Sequence, residues 1–148
     1  LRSTDNASSW NNSTSPITSR LYGVTFGNNT FVAVGQSGKI LRSTDNASSW
    51  DNSTSGISTN LYGVTFGNNT FVVVGPSGKI LRSTDNASSW DNSTSGISTT
   101  LKGVTFGNNT FVAVGDNGIV LRSTDNASSW NNSTSPITTD LNGVTFSE

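Results

Sequence analysis

Apolar residues recur along this chain in short runs separated by Gly, Asn, Ser and Thr, and the runs return at a fixed spacing. The stretch from Leu61 to Thr100 holds one full cycle. Leu61-Tyr62-Gly63-Val64-Thr65-Phe66 alternates large and small side chains with β-branched and aromatic content, which predicts a strand. Gly67-Asn68-Asn69-Thr70 follows, and Gly and Asn tolerate the positive φ that a tight hairpin requires. Phe71-Val72-Val73-Val74-Gly75 is a continuous apolar run, which predicts a strand buried on both faces. Pro76-Ser77-Gly78-Lys79 then turns the chain into Ile80-Leu81-Arg82-Ser83-Thr84, a third strand. Residues 85–89 form a third turn, and Trp90 opens a short polar fourth strand running to about Ser95. These strands are termed A, B, C and D. No segment has a helical period, and the Gly and Asn spacing would break any helix longer than about two turns.

The cycle is a tandem repeat. Trp10, Trp50, Trp90 and Trp130 stand 40 residues apart, and the octet Ser-Thr-Asp-Asn-Ala-Ser-Ser-Trp is identical at residues 3–10, 43–50, 83–90 and 123–130. A unit of this length cannot bury a core alone and must stack on its neighbours. Four short antiparallel strands per ~40-residue unit predict an all-β fold, a β-propeller of four-stranded antiparallel blades. The competing architecture is a β-solenoid, whose coils are usually shorter and need no hairpin after every strand. Counting from C and D within residues 1–15 to a last A within residues 141–146 gives about 3.75 blades, in a single domain or fragment of one. A propeller must close, because open edges expose unpaired backbone groups and apolar faces. A four-bladed monomer would be strongly curved. An eight-bladed ring from two chains would join the terminal A of one chain to C and D of the other. Either closure lacks one strand B, which points to a missing segment, a three-stranded blade or an unusual assembly. Near-identical repeats exchange partners readily, so a homo-oligomer is expected, with a dimer favoured.

Composition narrows the chemistry. The net charge of −1 gives no global field to recruit nucleic acid or an anionic membrane, so neither is an expected partner. Without Cys there are no disulfides or thiolates, and without His the usual zinc sites and imidazole catalysis disappear. No apolar run approaches the length of a membrane span, and no signal-peptide pattern is present, so a soluble chain is expected. The chain opens on Leu1 within a repeat, as a processed chain or a fragment of a longer array would.

The octet resembles the Asp-box, or bacterial neuraminidase repeat, whose pattern is Ser/Thr-x-Asp-x-Gly-x-Thr-Trp. In that family the box is the hairpin between strands C and D, on the face opposite the usual ligand site. The resemblance implies that Asp5, Asp45, Asp85 and Asp125 accept hydrogen bonds within their own turns. It implies also that Trp10, Trp50, Trp90 and Trp130 pack against the blade. These residues are therefore structural rather than catalytic. The chain departs from the pattern at Ala7, Ala47, Ala87 and Ala127, which stand where the family has Gly. If that position needs positive φ, each Ala costs around 1 kcal/mol. The family spans sialidases, sortilin-like receptors, glycoside hydrolases and photosystem II assembly-factor-like propellers. The segment Gly-Val-Thr-Phe-Gly-Asn-Asn-Thr-Phe-Val-Ala-Val-Gly looks most like the last group, which implies a bacterial origin.

A sialidase would need three clustered arginines, a Tyr–Glu pair and an acid/base. Arg2, Arg42, Arg82 and Arg122 instead occupy one equivalent position in strand C, and Glu148 is the only Glu. A glycosidase needs two opposed carboxylates, and Asp51, Asp91, Asp116, Asp140 and Glu148 form no motif for one. A Ser nucleophile lacks its His base. No calcium-loop, phosphate-loop or dinucleotide pattern occurs, so no catalytic residue, metal or cofactor is expected. Sequons such as Asn12-Ser13-Thr14 follow from an Asn/Ser/Thr-rich composition.

Differences between repeats are confined. Residues 24–32 are copied unchanged at 64–72 and 104–112. Variation gathers at the D-to-A connection and the start of A, where Arg20 and Tyr22 correspond to Asn60 and Tyr62, then to Thr100 and Lys102, then to Asp140 and Asn142. It gathers also at the B-to-C turn, where Gln36 and Lys39 correspond to Pro76 and Lys79, then to Asp116 and Ile119. In a propeller these two connections share one face around the central channel, and loops on a rigid scaffold are where specificity is built. The leading expectation is a non-enzymatic scaffold presenting this face to a protein partner. The alternatives are a glycan-binding module using the repeated Arg and Trp residues between blades, and an engineered or recently amplified repeat with no selected ligand.

Overall fold

The computed structural model describes residues 1–147, so Glu148 lies outside the described residues. Twelve strands form three four-stranded antiparallel sheets, each with its strands in chain order. The first blade holds β1 (Leu21–Gly27), β2 (Thr30–Gly35), β3 (Ile40–Ser43) and β4 (Asp51–Ser53). The second holds β5 (Gly63–Gly67), β6 (Thr70–Val74), β7 (Ile80–Ser83) and β8 (Asp91–Ser93). The third holds β9 (Leu101–Gly107), β10 (Thr110–Gly115), β11 (Val120–Ser123) and β12 (Asn131–Ser133). Each blade is thus the A-B-C-D unit of the repeat. The fourth strands are shorter than expected, ending at Ser93 rather than Ser95 in the second blade.

Local chemistry explains each turn. The A-to-B hairpin closes on Asn28-Asn29 at φ 47° and 56°, the left-handed pair that a two-residue hairpin demands and that Asn tolerates. The B-to-C turn is a short 3-10 segment at Gln36–Gly38 and at Asp116–Gly118.

Strand B carries the core. All of β6 is buried, and its alternate residues face opposite neighbours. Phe71 and Val73 pack with Val32, Val34 and Ile40 of the first blade. Val72 and Val74 pack with Leu101, Phe111, Ala113 and Leu121 of the third. A continuous apolar run is therefore read as two interleaved faces, each burying one neighbour. The inner strands nest through glycine. A methyl group on Gly67 would fall inside the Phe106 ring, and Gly27 and Gly107 bear the same relation to Phe66 and Phe146.

The chain ends depart from the expected strand count. Residues 1–12 retain the C-D hairpin only as one bridge, Arg2 with Asn11, and no strand is formed in residues 141–147. The first repeat has no A or B, and the last has A without B, so neither end finds the neighbouring strand that a ladder needs. Three complete blades therefore replace the expected 3.75. Residues 141–146 still follow the path of a strand A. Leu141 N–H donates to Gly115 O at 2.9 Å, and Phe146 covers Gly107.

Candidate binding face

The octets close on themselves. Ser43 Oγ donates to Asp45 Oδ1 at 2.8 Å and accepts the Ala47 N–H at 3.0 Å. Asp45 also accepts the N–H groups of Ser48 and Ser49 and the Ser49 hydroxyl. Such a carboxylate is stabilised in its charged form, chiefly by the hydroxyl and the amide of the last Ser before the Trp. That holds Asp5, Asp85 and Asp125 down to about 2 and pushes Asp45 in the same direction. Every lone pair used for the turn is unavailable for catalysis. Ala7, Ala47, Ala87 and Ala127 all have positive φ, between 59° and 64°, so the octet does require the left-handed region where the family pattern has Gly. In the complete blades the methyl groups of Ala47, Ala87 and Ala127 are buried, and that burial offsets the backbone cost.

The strand-C arginines are occupied between blades. Arg42 Nε donates to Asn86 O and Arg82 Nε to Asn126 O, both at 2.7 Å. Neither forms a cluster of the kind a sialidase or an arginine-lined sugar pocket would use. A second set of crossings was not anticipated from the sequence. Trp90 Nε1 donates to Ser53 Oγ at 3.1 Å, and that hydroxyl donates to Ala87 O at 2.8 Å. Trp50 with Ser13, and Trp130 with Ser93, repeat the relay. The signal was present in the invariant Ser three residues beyond each Trp, whose hydroxyl serves the neighbouring blade.

The varied residues come together at the opposite rim. Gln36 N–H donates to Arg20 O at 2.9 Å, joining the first B-to-C turn to the connection that enters β1. Asn60 Oδ1 accepts the Ser37 N–H at 3.1 Å, and Tyr22 and Tyr62 pack with ring centres 5.7 Å apart. Lys39 and Lys79 line an open groove of about 710 Å³ floored by Asn52, Thr54 and Ser55. Lys79 also donates to Asn92 at 3.0 Å. In the third blade Lys102 bridges Asp116 at 2.5 Å and Asp140 at 2.9 Å, while Asp140 also accepts the Asn117 N–H. Lys102 is raised by Asp116 first and Asp140 second, and Asp140 is lowered chiefly by Lys102. Asn142 is exposed and lies in no strand, next to Gly143, which packs against Gly103 beside Lys102.

No opposed carboxylate pair is left for hydrolysis among the described residues. Asp116 and Asp140 share one lysine, and Asp51 and Asp91 are exposed at the starts of β4 and β8. No group of three or more metal-binding side chains is present among the described residues. Nor is any helix among them long and apolar enough to cross a membrane.

No family model matches the sequence, and no curated protein does. Solved structures do match in fold. YCF48 bound to D1 peptide has a TM-score of 0.72 at 18% identity over 83% of this chain. YCF48 from Cyanidioschyzon merolae has a TM-score of 0.69 at 21% identity over 80% of the chain. YjhT has a TM-score of 0.62 at 9% identity over 81%. The chain spans 42%, 41% and 52% of those three proteins. Together with the three stacked antiparallel sheets, these likenesses establish the fold as part of a β-propeller.

Proposed function

We propose that this chain is a non-enzymatic propeller of the Asp-box type, whose varied rim binds an extended segment of a protein partner. The observation that carries this reading is the division of labour between faces. The octet turns are identical and internally satisfied, whereas Arg20, Tyr22, Gln36, Lys39, Asn60, Tyr62, Lys79, Lys102, Asp116 and Asp140 occupy positions that are not held constant through the repeats and lie on the connections of the opposite rim. Support comes also from YCF48, a fold neighbour described in complex with a D1 peptide. A glycan reading would draw on the strand-C arginines, and Arg42 and Arg82 are already committed to neighbouring blades. The Asp-box assignment is supported by the self-satisfied Asp turns and by the Trp placement.

The test is a peptide display selection run beside a glycan array. The expected result is selective peptide binding that Tyr22→Ala and Lys79→Glu each weaken about tenfold or more, roughly the size of an interface hot spot. Substituting Asn69 on the other face should leave binding unchanged. Selective glycan binding insensitive to those rim changes would overturn the reading.

A further inference from the structure

Charge is distributed unevenly around the rim. Over the first two blades, the connections entering strand A and the B-to-C turns carry Arg20, Lys39 and Lys79 and no carboxylate. Beyond them Lys102 meets Asp116 and Asp140 and bridges both, one cation against two carboxylates. Those are the only ion pairs among the described residues, so neither Lys39 nor Lys79 has a carboxylate within 4.0 Å there.

The two lysines meet in one place. Both are half-buried along the groove of about 710 Å³, which lies wholly within the first two blades and the connection between them. Lys79 donates to Asn92 Oδ1 at 3.0 Å, a neutral acceptor that leaves the ammonium charge uncompensated. The strand-D carboxylates stand too far off to compensate it. In the β3–β4 register Asp51 is opposite Arg42 and Ser53 opposite Ile40, which sets Asp51 about 10 Å along the strand from the level of Lys39. Asp91 bears the same relation to Lys79. Charges that far apart in solvent are largely screened, since the Debye length is about 8 Å at physiological ionic strength. The groove is also open to a main chain. Gly56 lines it at φ +74°, and a methyl group there would meet no atom within 4 Å. Asn52 of β4 and Thr54 just beyond it supply amide and hydroxyl groups alongside.

We infer, building on the rim-binding reading above, that this groove takes the acidic side chains of an extended peptide, with an Asp or Glu carboxylate seated between Lys39 and Lys79. Two ammonium groups in a groove without a carboxylate of its own attract an anion and repel a basic segment. The cluster at Lys102 carries the opposite balance and repels the same acidic side chains. The bound segment therefore places its acidic residues over the first two blades and neutral or basic ones towards the third.

A display library of random heptapeptides, selected on the whole chain, tests this. The selected pool is expected to hold Asp and Glu at about threefold or more their frequency in the library. Selected peptides remade with Asn and Gln in place of Asp and Glu should bind about fivefold or more weakly. So should the unchanged peptides against a chain carrying both Lys39→Gln and Lys79→Gln, its fold checked by circular dichroism. Lys79→Arg keeps the charge and should hold the affinity within about twofold. Peptides that bind the rim, as loss with Tyr22→Ala shows, but lack acidic residues or ignore the lysine pair overturn the inference and leave the rim-binding reading standing. A library that yields no binder overturns both. Phosphoserine peptides, or a heparin-derived oligosaccharide, that bind this groove where the Asp and Glu peptides do not also overturn the inference.

Discussion

Ser93→Ala isolates what one inter-blade relay contributes. The Ser93 hydroxyl accepts Trp130 Nε1–H at 3.2 Å and donates to Ala127 O at 2.6 Å, linking the second blade to the third. Trp130 is 8% exposed, so water cannot freely replace the lost acceptor. Two intramolecular hydrogen bonds contribute about 1 kcal/mol each, and a buried donor left unpaired adds a desolvation penalty, for a total of about 2–3 kcal/mol. The side chain loses a single oxygen, so the cavity left behind is small. For a chain of this size each kcal/mol shifts Tm by about 2–4 °C, which puts the fall at about 4–12 °C. Thermal unfolding followed by tryptophan fluorescence reads both the shift and the environment of Trp130. Ser93→Thr keeps the hydroxyl on a β-branched side chain suited to a strand, and should cost under about 1 kcal/mol. The relay would be refuted as a structural link if Ser93→Ala unfolded within about 1 °C of wild type, or if the Thr and Ala variants fell equally.

Three further outcomes follow from the same geometry. Gly67→Ala places a methyl inside the Phe106 ring and should cost about 1–3 kcal/mol or more, whereas Gly56→Ala meets open space at φ +74° and should cost only about 1 kcal/mol; equal denaturation midpoints would contradict the nesting of inner strands. Ala87→Gly exchanges relief of left-handed strain, about 1 kcal/mol, for a lost buried methyl worth about 0.8 kcal/mol, so urea unfolding should stay within about 0.5 kcal/mol of wild type. The octet carboxylates bind fewer protons folded than unfolded, because Asp85 and Asp125 lie near 2 instead of 3.8. Their contribution is therefore complete above about pH 4 and is lost as pH falls through 3.8 towards 2, and a flat Tm between about pH 5 and pH 2 would rule it out.

The repeat made most of the fold legible. Strand order, the doubly buried strand B and the Asn-rich hairpins all follow from period-2 patterning and turn chemistry, which act within a few residues. A bond from Arg42 to the neighbouring blade is what a strand-C arginine in a stacked repeat suggests, whereas the pairing of Trp90 with Ser53 spans about 40 residues and leaves no local pattern. The Ser three residues past each Trp looked like part of a sequon, although its hydroxyl is spent on the next blade. The chain ends depart from their sequence pattern for a related reason. Residues 141–146 have a strand's sequence, but a strand also needs a neighbour to pair with. The rim was legible as a location, since its residues vary between repeats, but the sharing of Lys102 by Asp116 and Asp140 depends on side-chain geometry alone.

The two faces also differ in how the blades are joined, and this accounts for where the repeats have been free to change. On the octet face the crossings use side chains: Arg to a carbonyl, Asn to Thr, Trp to Ser. Replacing any of them removes a bond, so variation there weakens a joint. At the rim the recurring crossings use backbone instead. Leu61, Leu101 and Leu141 N–H donate to the carbonyls of Gly35, Gly75 and Gly115. Such bonds hold whatever side chain is carried. The side-chain crossings at this rim, Asn60 to Ser37 and Asp140 to Asn117, are additions that the second B-to-C turn does without, since Gly78 N–H there reaches the Thr99 carbonyl. A rim held by its backbone can change its chemistry from blade to blade at little cost in stability, which is the property a binding surface on a rigid repeat requires.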